Sequence, residues 1–229
     1  LVSTPIGNLE DITLRAQRIL TEVDLVACED TRHSGQLLSR LNIKKKLISY
    51  HEHNESERAK EIVTKLMEGH SVAVITDAGS PGISDPGFRV VRAAIENKID
   101  IVPLPGANSI VPALTASGLP TDRFLFEGYL SHKSAARLRR LEELREFPYT
   151  LIFFESPFRI AKCLDNMLTV FGNREVCIAR EMTKIHEEFV RGNLDEVAKN
   201  ISNRKIKGEI VIVVAGKLFT DKTEKKKND

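Results

Sequence analysis

The chain has 229 residues, 41% hydrophobic and 29% charged, with a formal net charge of +2. That balance excludes a disordered chain and leaves no strongly basic footprint of the kind that binds nucleic acid by charge alone. No apolar run reaches the ~20 residues of a membrane-spanning helix, and the three cysteines (Cys28, Cys163, Cys177) form no C-x-x-C pair, which reads as reduced thiols in a cytoplasmic protein.

Short apolar runs alternate with helical patterns from the first residue. Strands are expected near 1–3, 24–28, 47–51, 71–76 and 100–104, with helices near 11–21, 33–41, 54–69 and 87–97 between them. The order argues α/β with a mainly parallel sheet. The run "VAVIT" hardly alternates, as befits a strand covered on both faces. "NSIVPALTAS" reads as a helix opened by Asn108 or Ser109, and "GLPTD" at 118–122 as a domain junction. The first domain is therefore placed at 1–118 and the second at 119–216. The second carries strands near 123–130, 149–155, 175–181, 187–191 and 209–215, with helices near 133–146, 157–170 and 193–201. The short link between "CIARE" and "EEFVRG" predicts antiparallel pairing there, hence a mixed sheet. Residues 217–229 read as a basic, disordered tail.

The chemistry concentrates at strand ends. "TDAGSPGISDPG" (76–87) follows the fourth strand, and ligands of α/β sheets gather at the carboxyl ends of strands. The stretch is neither a Walker loop nor G-x-G-x-x-G, and no lysine occurs from 71 to 97. With Asp77 and Asp85 it suits a neutral or cationic ligand held by backbone better than a triphosphate; a tight connecting turn is the plain alternative. "STPIGNLEDIT" (3–13), with Pro5 and Gly7, and "PLPGANS" (103–109) end two further strands and could share one sheet face with it.

"ACEDTRHS" places Glu29, Asp30, Arg32 and His33 after the second strand, and "SYHEHNESE" places His51 and His53 after the third. An H-x-H pair can be half of a zinc site, but no further ligands are spaced for one, so no metal is expected. "FFESPFR" supplies Glu155, Ser156 and Arg159; "AREMTKIHEE" supplies Arg180, Glu181, Lys184, His186 and Glu187, with a structural ion-pair cluster as the alternative. On the helix near 133–146, Leu138, Leu141 and Leu144 form the core stripe, which leaves Arg137, Arg139 and Arg140 off it as a basic binding patch or an ordinary solvated face.

Seven of these stretches in order, "TPIGNLEDIT", "EDTRH", "SYHEHNE", "TDAGSPGISDPG", "PGANSIVPAL", "FFESPFR" and "ARE-TK-HEE", closely resemble the 16S ribosomal RNA 2′-O-ribose methyltransferases of the tetrapyrrole-methylase-like (class III) family. The resemblance covers Leu1 to about Gly216. It implies two α/β domains with S-adenosylmethionine in the cleft between them, and a homodimer. It implies methylation of the ribose of cytidine 1402 in 16S rRNA within the 30S ribosomal subunit. It carries cofactor contacts to Pro5, Gly7, Asp77, Ala78, Gly79, Ser80, Ile83, Asn108, Ser109, Ile110, Phe154, Ala179 and Glu209. Ser80 replaces an aspartate common in the wider family, which puts its contact on the backbone.

A ribose hydroxyl is a poor nucleophile near neutral pH, so a proton acceptor is expected among Glu29, His51, His53, Lys184 and Glu187. Arg32, Arg137, Arg140, Arg159 and Arg180 are the expected RNA contacts. Two rival readings are a same-fold methyltransferase acting on a small molecule such as a tetrapyrrole, and a non-catalytic metabolite-binding module.

Overall fold

The computed structural model describes residues 1–219. From residue 220 on, the expected basic tail lies outside the described residues. The chain forms two compact units, one over Leu1–Asn108 and the other from Ser109 onward.

The first unit is built on three parallel strands, β1 (Leu25–Cys28), β2 (Lys46–Ser49) and β3 (Val72–Val74), in the order β2-β1-β3. Two more segments continue the ladder. The Val2 N–H donates to the Val74 carbonyl (2.9 Å), and Val2 bridges Leu104 in parallel. The expected strands at 1–3 and 100–104 thus shrink to isolated bridges. Part of the reason is Pro103, which has no N–H to give to a ladder. All four residues of β1 are buried because helices cover both faces. Val26 and Cys28 pack with Ala16, Leu20 and Leu38 from α1 (Leu14–Glu22) and α2 (Thr31–Arg40). Ala27 packs on the other face with Ala59, Ile62 and Val90 from α3 (Glu55–Met67) and α4 (Phe88–Glu96).

Local chemistry sets the helix starts. The Thr13 hydroxyl accepts the Ala16 N–H (3.0 Å), and the Asp30 carboxylate accepts those of Arg32 (2.8 Å) and His33 (3.4 Å). Helix α2 therefore begins two residues before the expected start, since Asp30 is its cap. One carboxylate joins the starts of α3 and α4: Glu55 Oε1 accepts the Tyr50 hydroxyl (2.7 Å) and the N–H groups of Gly87 (3.0 Å) and Arg89 (3.2 Å).

The second unit opens with α5 (Ile110–Ser117) and continues β4 (Phe124–Tyr129), α6 (Ser134–Leu144), β5 (Thr150–Glu155), α7 (Ile160–Phe171), β6 (Glu175–Arg180), β7 (Glu188–Asn193), α8 (Leu194–Ser202) and β8 (Ile210–Val214). Its sheet runs β4-β5-β8-β6-β7. Strands β4 and β5 are parallel, and β8 is antiparallel to both its neighbours. The β6–β7 pair is antiparallel, as the short link requires. Helices α6, α7 and α8 bury Leu141, Leu164, Met167 and Val197 against Leu151, Phe153, Ile178 and Ile212. Helix α5 packs on β6 and β8, and the Arg191 Nε donates to the Ala116 (3.1 Å) and Ser117 (3.2 Å) carbonyls at its end. The division at 108/109 thus falls ten residues ahead of the 118/119 junction read from sequence, because α5 buries its apolar side in the second sheet.

All three cysteines are free and buried, and burial pushes each thiol up. Among the described residues no helix is long and apolar enough to cross a membrane.

Candidate active site

The three Pro/Gly loops of the first unit are laced together at the carboxyl edge of its sheet. Thr4 and Gly79 exchange backbone hydrogen bonds of 2.9 and 3.0 Å. The Ser3 and Ser80 hydroxyls meet at 2.9 Å, and Ser80 Oγ reaches the Ala107 carbonyl at 3.4 Å. Beneath them the Thr4 hydroxyl donates to the Thr76 carbonyl (3.0 Å). Gly79 holds φ at +85°, a left-handed conformation that suits glycine. Gly106 is required by contact: a Cβ there would lie 2.7 Å from the Ser3 Cβ. The Gly82 N–H returns to the Pro86 carbonyl (3.2 Å), so the 79–87 loop closes on itself.

Carboxylates border these loops. The Asp30 N–H donates to Asp77 Oδ1 (3.2 Å). Burial, with Asp77 close by, pushes the Glu29 carboxyl up, and His51 partly offsets that. Asp85 is pushed up to about 6 by burial and by the charges of Glu29 and Asp77. Asp30 is held at about 2 by its hydrogen bonds to Arg32. His51 Nε2 lies 3.2 Å from the Asn54 amide, its Nδ1 is buried without a hydrogen-bond partner, and its ring meets that of His53 edge-on at 5.9 Å. Among the described residues no group of three or more His, Cys, Asp or Glu is placed to hold a metal ion.

The second unit gathers its polar groups at one sheet edge, where β5 and β6 end on either side of Ile210. Glu155 is buried, with Oε1 taking the Arg159 guanidinium at 2.5 Å and the Ser156 N–H at 2.7 Å, while Arg159 Nη1 also reaches His132 Nδ1 at 2.8 Å. Arg180 pairs with Glu188 (3.0 Å), and Lys184 bridges Glu181 and Glu209 at 2.9 Å each. Glu187 accepts the Thr183 N–H (2.7 Å). Glu181 and Thr183 hold φ of 50° and 66°, strained values for side-chain-bearing residues, and for β-branched Thr183 most of all.

The sequence-derived residues therefore fall into groups. Glu29, His51, Asp77, Gly79 and Ser80 come together at the first unit's carboxyl edge, with Ala78 and Ile83 exposed in the same loop and Pro5 and Gly7 in the loop laced to it. His53 lies exposed in the turn after β2. Asn108 donates to the Gly106 carbonyl (3.5 Å), and Ser109 and Ile110 begin α5. Phe154, Ala179 and Glu209 sit at the second unit's edge, where Phe154 stacks edge-on with Phe126 and Tyr129. Lys184 and Glu187 tie down the 181–187 loop, so the structural ion-pair alternative describes their contacts.

One placement is corrected. Arg137 is buried, not off the core stripe, and its guanidinium donates to Asn166 (2.8 Å) and to the Ser131 carbonyl (3.3 Å). Leu141 and Leu144 do face the core, Arg139 is exposed, and Arg140 pairs with Glu127 and Glu143. The sequence marks Asp85, with Asp77, as an acidic member of a lysine-free loop, but not its shifted carboxyl, which depends on burial and on Glu29 and Asp77.

The model of the tetrapyrrole (corrin/porphyrin) methylases matches residues 1–198. The chain belongs to that family. Within it, the chain is 50% identical over 216 residues to the ribosomal RNA small subunit methyltransferase I of Halalkalibacterium halodurans, covering 94% of this chain and 75% of that protein. To the Haemophilus influenzae protein of the same name it is 50% identical over 228 residues, covering 98% and 80%. Among solved structures it is similar to uroporphyrin-III C-methyltransferase from Thermus thermophilus, with a TM-score of 0.64 and 20% identity over 95% of this chain and 93% of that one. Cobalt precorrin-4 methyltransferase gives 0.65 and 17%, over 96% and 95%. At such identities these two likenesses speak for the tetrapyrrole methylase fold alone.

Proposed function

We propose that this family member transfers a methyl group from S-adenosylmethionine to the ribose 2′-hydroxyl of cytidine 1402 in 16S rRNA within the 30S ribosomal subunit, in the cytoplasm and as a homodimer. The observation that carries the reading is the laced, lysine-free loop set at a carboxylate-bordered sheet edge, in a chain half identical to proteins named ribosomal RNA small subunit methyltransferase I. The dimer rests on the sequence resemblance.

The residues fit that cofactor. It bears a sulfonium cation, an amino-acid carboxylate and ribose hydroxyls but no phosphate. A loop without lysine, beside Asp77 and Asp85, complements the cation and the hydroxyls, and the glycines bring backbone close. When bound, the cofactor supplies a methyl group on an already good leaving group.

The chain's own task is to position the two reacting atoms and handle one proton. Loops 3–13, 76–87 and 103–109 orient the donor. Glu29 would accept the 2′-hydroxyl proton during transfer, and its raised carboxyl makes it a stronger base than an ordinary carboxylate. His51 stands beside Glu29 and steadies its charged form. His53, Lys184 and Glu187 stay outside the transfer, the last two as braces of their loop. Arg32, which is 88% exposed, is the arginine best placed to meet RNA phosphates; Arg140, Arg159 and Arg180 are held in ion pairs with Glu127, Glu155 and Glu188, and Arg137 is buried.

The test is transfer of labelled methyl from S-adenosylmethionine to small ribosomal subunits from a strain lacking this gene, followed by nucleoside analysis. Label on a cytidine ribose is expected. Measurable cofactor binding with no label on RNA would overturn the reading in favour of a small-molecule acceptor.

A further inference from the structure

The edge of the second unit presents two apolar side chains wholly to solvent. Phe158 is 95% exposed and Ile185 is 98% exposed. Phe158 follows β5 and Ile185 follows β6, and these strands end on either side of β8 with Glu155 and Arg180 both registered on Ile210. Two strand spacings separate the strand ends by ~10 Å, about three stacked-base rises.

Neither residue sits on a slack segment. The Phe158 N–H donates to the Ser156 hydroxyl (3.3 Å), and the next residue, Arg159 at the N-cap of α7, pairs with buried Glu155 at 2.5 Å. The Ile185 loop is fixed by Lys184 between Glu181 and Glu209, by Glu187 on the Thr183 N–H, and by backbone bonds from Lys184 to Glu181 (3.0 Å) and from Glu187 to Lys184 (3.1 Å). Those contacts maintain the left-handed backbone at Glu181 and Thr183. Backbone strain held in place in this way clusters at functional sites.

Lysines occur on the segments that enter and leave this edge of the sheet, beside the carboxylates Glu187 and Glu209. Among the described residues no salt bridge engages exposed Lys133, which follows β4, or exposed Lys205 and Lys207, which lead into β8. Two single apolar tips on separate loops do not make the continuous patch of a protein interface. They match unstacked bases on a phosphate backbone, where aromatic rings stack, aliphatic wedges separate bases and lysines neutralise charge.

We propose that Phe158 and Ile185 form a two-point clamp for unpaired nucleotides of the RNA substrate, Phe158 stacking on one base and Ile185 wedging beside another, with Lys133, Lys205 and Lys207 on the phosphates. This rests on the RNA reading above and adds where, and in what form, the RNA is held.

The test compares Phe158→Ala, Ile185→Ala and the stacking-competent Phe158→Tyr with the parent protein in full-length form. Leu14→Ala, at an 84% exposed apolar position on α1, serves as control. Affinity for a 16S fragment carrying the target is read by filter binding at fixed salt, cofactor affinity by calorimetry, and self-association by sedimentation. Each alanine variant should lose about tenfold or more in RNA affinity, with cofactor affinity unchanged. Phe158→Tyr should restore binding, and Leu14→Ala should leave it intact. Unaltered RNA affinity in the alanine variants overturns the clamp, as does a shift in self-association with RNA binding intact. If the parent binds RNA through these side chains but transfers no label, the clamp stands and the methylation reading falls. If all variants bind and label RNA alike, the reverse holds.

Discussion

Thr4 and Gly79 trade two backbone hydrogen bonds, at 2.9 and 3.0 Å, and so turn two loops 75 positions apart in sequence into one rigid bracket. The third loop joins through Ser80 and Gly106. The bracket's geometry depends on close backbone approach, which makes it sensitive to a single added methyl group.

Gly106→Ala puts that methyl group 2.7 Å from the Ser3 Cβ. The loops must part, and a misplacement of about 1 Å at a reacting centre costs on the order of a hundredfold in rate. Single-turnover methyl transfer should fall by about that factor, with the far-UV circular dichroism spectrum retained. Parent-like turnover would show that the bracket does not set the geometry.

Glu29→Gln keeps the shape and removes the proton acceptor. Methyl transfer should drop by about a hundredfold to ten-thousandfold with cofactor affinity preserved. In the parent, the rate should climb with pH through the raised Glu29 titration, and that limb should vanish in the variant. A Gln variant with the same pH profile would remove Glu29 from the reaction.

Asp85 titrates at about 6, against 3.8 for an ordinary aspartate. Between those values the folded protein holds a proton that the unfolded chain has lost. Stability is therefore fully present below 3.8 and declines as pH rises to about 6. Asp85→Asn should match the parent's stability at acid pH and exceed it above about pH 6, by less than ~1 kcal/mol since the group is part-exposed and screened. Melting curves across that range check it, and a constant offset at all pH values would contradict it.

Arg137→Ala strands the Asn166 side chain and empties a buried site, at a cost of about 1–3 kcal/mol in urea unfolding. Arg139→Ala, in an exposed position, should fall within about 0.5 kcal/mol of the parent. Equal stabilities would return Arg137 to the surface.

Much of the fold was legible because strands covered on both faces are written as unbroken apolar runs, "LVAC" and "VAVI" among them. The three loops were legible because glycine and proline mark forced turns. Strand order was not, since nothing local says that Val2 lies between β3 and Leu104. Arg137 misled because its partner Asn166 comes from another helix, whereas the leucine spacing on α6 is visible within one turn. The carboxylate cluster was half legible. Glu29 stood out at a strand end, while the character of Asp85 arises only when Glu29 and Asp77 are folded against it. Phe158 and Ile185 look like core residues by composition, and only three-dimensional placement shows that nothing covers them.

The position of Val2 has a consequence for how the first unit comes into being. The segment around Val2 becomes an inner rung of the ladder, and both of its neighbours, around Val74 and Leu104, are made later. During translation this segment waits for Val74, 72 positions further on, and its second neighbour Leu104 follows only 102 positions after it. Assembly of the first sheet is then a late, long-range closure event, and long-range pairing of that kind folds slowly.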